Sequence, residues 1–318
     1  VIPDGAGKGD LSVSGMFDLN GFSETINGLI GGGVVDNTAV STNVVLTLNA
    51  NSIFAGTIQD SGAPLTLVKG PTGGVVLTGS NNNYRGGTIV QGGRLFISNA
   101  GALTPNGSVQ VNAGTIAFNA AGSPTYNQTI HLASGTALSM RQDATITGVT
   151  LPTTGSVVFN KDDQPTTAFS LNSTPILSGD LTVQVGGHNS TVGDVTFAGD
   201  ITGTGGLTKT QVGTLILAGV NSYSGETSVN GGVLAVNGTS ITDNGKLLIA
   251  GGKVDLTNTE TVDTLFFGAV QQPAGNYTSA DSSGNFTGAG ILTVLSGPAN
   301  AGYASWASIN GAGAEFTE

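Results

Sequence analysis

Few residues of this chain are able to do chemistry, and their spacing limits what that chemistry is. Lys161, Asp162 and Asp163 form the most concentrated charged run. A lysine beside two carboxylates is a minimal set for acid–base cleavage of a glycosidic bond, by hydrolysis or by a lyase. Asp143, Asp180, Asp194 and Asp200 are carboxylates that a stacked fold can bring to the same side. His131 and His188 lie in unrelated contexts, with no His-x-His or His-x3-His pair from which to start a metal site. Turn carboxylates and carbonyls remain as a donor set for a structural Ca2+, although the Gly-Gly-x-Gly-x-Asp nonapeptide is absent. The chain has no cysteine, which excludes thiolate metal sites and disulfides. Its 9 basic residues are scattered in a chain of net charge −11, so there is no footprint for a phosphate backbone and nucleic acid is not an expected partner. No run reaches the ~18 consecutive apolar residues of a membrane span.

Stepping outward to the elements that must hold such residues, the sequence repeats itself. Phe54-Ala55-Gly56-Thr57-Ile58 returns as Phe197-Ala198-Gly199-Asp200-Ile201, Lys69 as Lys209, and Leu77-Thr78-Gly79 as Leu217-Ala218-Gly219. Asn81, Tyr84, Gly86 and Thr88 are aligned with Asn221, Tyr223, Gly225 and Thr227, and Gly92 to Ile97 with Gly231 to Val236. A second pair brackets these copies: Gly9 to Gly15 and Glu24 to Gly32 return as Gly245 to Gly251 and Glu260 to Gly268. Units that cannot bury an apolar face alone must stack, so repeats of this kind indicate a solenoid. Glycine contributes 52 residues, only 9% of the chain is charged, and Val, Ile and Leu recur in period-2 alternation between Gly and Asn turns, an all-β signature. Leu215/Leu217, Thr227/Val229 and Leu234/Val236 are expected on three successive faces. Gly92-Gly93, Gly231-Gly232 and Gly251-Gly252 read as corners, where φ > 0 costs glycine little. Asn81 and Asn221 suit either an amide ladder or a simple turn. Tyr84 and Tyr223 suit either a carbohydrate platform or a corner side chain packed over the next strand.

The expected fold is therefore an all-β, right-handed parallel β-helix with about three strands per coil. Residues 1–295 form the solenoid, and 296–318 a short non-solenoid tail that caps or docks. At about 20–25 residues per coil, on the order of 13–15 coils make a rod about 60–70 Å long. The segment from Ala120 to Gly193 is less regular and is expected to bulge or to carry a longer loop.

Gly205-Gly206-Leu207-Thr208-Lys209, Gly213-Thr214-Leu215-Ile216-Leu217, Asn221-Ser222-Tyr223-Ser224-Gly225 and Val229-Asn230-Gly231-Gly232 together resemble the autotransporter-associated β-strand repeat. The first copy departs from that frame at Pro64 and at Arg85-Gly86-Gly87. With the related flanks the resemblance covers nearly half of the chain. It implies a β-helical, passenger-like protein exported to a bacterial surface or secreted, and it implies no catalytic residues.

The function expected is a structural or adhesive rod or fibre component. The alternatives are a polysaccharide-active enzyme at Lys161, Asp162 and Asp163, or a non-catalytic glycan-binding module. Extracellular glycans and cell-envelope components are the expected partners. Val1-Ile2-Pro3-Asp4 leads almost directly into a segment matching a repeat interior, which suggests protein upstream or end-to-end self-association, with Tyr303 and Trp306 as the docking residues at the other end.

Overall fold

The computed structural model describes residues 2, 9–105, 107–142, 144–161, 169–171, 173–186, 193–280 and 284–298. Their short β-branched strands stack coil upon coil into a parallel β-solenoid. The only helix among them is a single 3-10 turn at Ala100–Ala102. A fourteen-stranded spine sheet runs from Leu11–Val13 to Val270–Gln271, and every pairing along it is parallel except the last. Its thirteen parallel strands, at about 4.8 Å per step, span about 60 Å. Beside the spine lie a seven-stranded sheet, from Glu24–Ile26 to Thr145–Thr150, and farther along the rod a six-stranded one, from Phe169–Leu171 to Phe286–Gly288. Inward residues of all coils merge into one apolar core that reaches from Val13 to Val294.

The faces are counted differently from the expectation. Leu234 pairs with Leu215, so Leu234/Val236 lie on the same face as Leu215/Leu217, one coil on. Coils of the repeats are two-stranded, with a corner in place of a third strand. That corner becomes a strand only in some coils, as at Met16–Asp18, Val34–Asp36 and Thr57–Ile58.

Glycine serves two purposes. At the tight corners Gly93 and Gly232 have φ of 59° and 63°, where a side chain is strained. Gly33, Gly56 and Gly79 instead form a column: a Cβ on each would run into the backbone carbonyl of Gly15, Gly33 and Gly56, respectively. Coil-to-coil contact, not positive φ, requires glycine there. Gly199 and Gly219 repeat the device against Ser173 and Gly199.

The C-terminal end of the described solenoid is closed by reversed strands. Val270–Gln271 folds back antiparallel on Thr264–Phe267, and Gly275–Tyr277 runs antiparallel to Leu292–Val294. Phe267, Tyr277 and Phe286 pack over the end with ring centroids 6.0–6.4 Å apart. Tyr303 and Trp306, expected to cap or dock, lie outside the described residues.

Candidate functional site

The best-formed set of convergent polar groups recurs once in each repeat copy. Lys69 ends its strand and Lys209 is the last but one residue of its own; both turn inward, because alternation places them on the core side. The Lys69 ammonium donates to the carbonyls of Gly70 (2.6 Å), Thr72 (2.6 Å) and Gly92 (3.4 Å). Lys209 donates to Thr210 (2.7 Å), Gln211 (2.8 Å) and Gly231 (3.1 Å). Each lysine thus supplies the hydrogen-bond donors that a tight corner lacks, and ties that corner to the next coil. Burial lowers both pKa values, that of Lys209 to about 8, so its ammonium is retained at neutral pH.

The opposite corner carries a relay of amides. The Ile58 N–H donates to Asn82 Oδ1 (2.8 Å) while Asn82 Nδ2 donates to the Ala102 carbonyl (2.7 Å). Likewise the Ile201 N–H donates to Asn221 Oδ1 (2.8 Å), and Asn221 Nδ2 to the Ser240 carbonyl (2.8 Å). Asn82, not Asn81, is therefore the partner of Asn221, because register is counted back from the corner tyrosine. These amides do not ladder with one another; each clamps the backbone of the coil before and the coil after. Glu260 holds the corresponding place farther along, accepting from the N–H groups of Gly238 (2.8 Å), Ser240 (3.3 Å) and Ile241 (3.0 Å). Burial raises its pKa against those three donors.

Tyr84 and Tyr223 are buried, which rules out the carbohydrate platform. Their hydroxyls meet Thr88 (2.7 Å) and Thr227 (2.6 Å), and burial pushes the Tyr84 phenol up to about 12.

The acid–base candidates are arranged otherwise. Lys161 ends the strand Gly155–Lys161 on the core side, and together with Asp194 it lines an open hollow walled by Leu138, Met140, Phe159 and Val195. Asp162, Asp163, Asp143 and His188 lie outside the described residues. Asp180 accepts from the Gly206 N–H (2.8 Å) and Asp200 from the Val220 N–H (2.7 Å), so both serve as turn braces. His131 points outward from Thr125–Leu132. Asp60 was missed in the sequence: buried, it accepts from the N–H groups of Leu65 (2.8 Å) and Arg85 (2.7 Å) and pairs with Arg85 Nε at 2.7 Å. The signal was available. Where the first copy departs from the frame with Asp60 and Arg85, the second has Gly203 and Ser224, and the Gly203 carbonyl replaces the carboxylate as acceptor for the Ser224 N–H. Among the described residues no group of three or more His, Cys, Asp or Glu is placed to hold a metal ion.

The polar groups thus converge on backbone, and comparison with known proteins points to architecture as well. Residues 67–95 and 207–236 match the family described as Passenger-associated-transport-repeat. The Adhesin BmaC autotransporter of Brucella suis biovar 1 (strain 1330) is 30% identical over 235 residues, covering 71% of this chain and 5% of that protein. No solved structure matches. None of the described helices is long and apolar enough to cross a membrane. With buried lysine, amide and tyrosine in equivalent roles at both matched segments, this chain is an autotransporter-associated repeat protein.

Proposed function

We propose that this chain is part of an autotransporter-type passenger, carried on a bacterial surface or released from it, and that it acts as an elongated adhesive rod. The observation carrying this reading is the unbroken parallel core, with both repeat copies built into it. A core of that form gives reach along one axis. Likeness to the Brucella adhesin supplies the adhesive part of the reading. The buried lysines, amides and tyrosines are engaged by the fold itself, which leaves recognition to the outward faces and corners. End-to-end association through the segment bearing Tyr303 and Trp306 belongs to the same proposal.

Beads coated with the purified chain provide the test. They should be retained on epithelial monolayers, matrix proteins or glycan surfaces several-fold more than beads coated with an unrelated β-solenoid. Retention equal to the control on all of these surfaces would overturn the adhesive reading. Turnover of acidic or neutral polysaccharides that is lost in Asp162→Ala and Asp163→Ala would replace it with an enzyme. For assembly, sedimentation should show association that Trp306→Ala weakens while the β-sheet signal is kept; a monomer at high concentration overturns that part.

A further inference from the structure

The order of the strands changes midway along the rod. From Leu11 to Phe118 the chain leaves the spine, passes the short third side, crosses the seven-stranded sheet, and returns to the spine through a tight corner. From Phe169 to Phe267 it leaves the spine directly into the six-stranded sheet and passes the short strands, Ile176–Leu177 and Thr202–Gly203, on its way back. With the sense of winding unchanged, the long partner sheet thus moves from the side that precedes the spine to the side that follows it. The two matched repeats are thereby set one side apart. Lys69 ends a strand of the seven-stranded sheet, whereas Lys209 lies in a spine strand.

Four further observations fall in the same stretch. The two long sheets beside the spine do not join among the described residues: Thr145–Thr150 and Phe169–Leu171 are neighbours in space but end separate sheets. Pairing between Thr125–Leu132 and Thr145–Thr150 slips between Tyr126 and Thr129. The Tyr126 hydroxyl and Gln128 Oε1 are buried without a hydrogen-bond partner. Finally, the inward spine column of Phe54, Leu77, Ile97, Phe118 and Met140 ends in Lys161, beside the hollow. Among the described residues only the spine crosses this region as a continuous hydrogen-bonded ladder, through Thr136–Met140, Gly155–Lys161 and Leu181–Gly186.

In a solenoid each coil contacts only its neighbours, so cooperativity is set by the weakest coil-to-coil interface. We propose that the rod consists of two cooperative blocks, residues 9–161 and 169–298, joined at this change of strand order, and that each opens without the other. Such a joint gives the rod a defined place to yield under load while the remaining block stays folded.

Hydrogen exchange of the full chain in graded urea, read by mass spectrometry, tests this. Amides of Thr115–Phe118 and Thr227–Val229 should report opening constants that differ by about tenfold or more, each shared across its own block. Leu95→Ala should raise opening at least about tenfold within 9–161 and leave 169–298 within about twofold; Leu215→Ala should do the reverse. If either alanine variant does not fold, Ile97→Val and Leu215→Val read the same asymmetry at smaller amplitude. Equal acceleration in both blocks from either substitution overturns the proposal.

Discussion

At the scale of single residues, the titratable groups of the two repeats serve the backbone. Three carbonyls surround Lys209, and a neutral isostere supplies no donor to any of them. Lys209→Met should therefore destabilise the fold by about 2–3 kcal/mol at pH 7, read from urea midpoints. The folded-state pKa of about 8 lies below the ordinary lysine value of 10.5. Between these two values the unfolded chain holds a proton that the folded one has released, so this group makes stability rise with pH across that window. Lys209→Met should lack that part of the rise, which unfolding at pH 7.5 and pH 10 would measure. Glu260 gives a sharper case, because it only accepts. Glu260→Gln should cost about 1–2 kcal/mol, since no rotamer of an amide offers acceptors to all three N–H groups that the carboxylate now satisfies. A melting midpoint equal to the parent's would refute that account.

At the scale of elements, the corners and the closing strands set how closely coils approach and where stacking stops. Gly79 lies against the carbonyl of Gly56, a neighbour that is backbone and cannot rotate away. Gly79→Ala and Gly219→Ala should each lose about 2–4 kcal/mol, while Gly122→Ala, with open space at its Cβ position but φ of 88°, should lose about 1 kcal/mol. Thermal unfolding of the three variants would rank them. The reversed strands after Thr264–Phe267 remove the parallel edge on which another spine strand would add. Phe286→Ala opens the aromatic closure and should speed exchange in Lys253–Leu256 and Gly275–Tyr277 before it affects the first coils. Uniform exchange along the rod would show that the closure seals nothing.

At the scale of the molecule, the described coils make a rod about 60 Å long, and its length should appear directly in small-angle scattering as an elongated particle. The chain spans 5% of the length of the Brucella adhesin that it matches. A polymer of coils tolerates interruption, which is why a change in strand order persists between residues 118 and 169 without ending the core.

Period-2 alternation, Gly-Gly corners and the in-frame copies were enough to establish a parallel solenoid, because a repeated apolar face has nowhere to go except onto the next repeat. The corner glycines Gly93 and Gly232 and the paired roles of Tyr84 and Tyr223 were also legible, since local backbone geometry and local packing require them. What the linear pattern did not contain was phase. A strand alternating in and out looks the same whichever face it joins, so nothing local reveals that Leu234 returns to the face of Leu215, or that Lys69 and Lys209 lie in different sheets. The Asn81 alignment failed for the same reason: the amide is placed by the carbonyl and N–H of adjacent coils, which are 19–24 residues away in sequence. Asp60 with Arg85 was visible only as a departure from the frame, and became a buried brace once stacking brought residues 25 apart into contact. Residue type and period are local properties of the chain, while face, register and coil-to-coil contact arise only when the turns have closed.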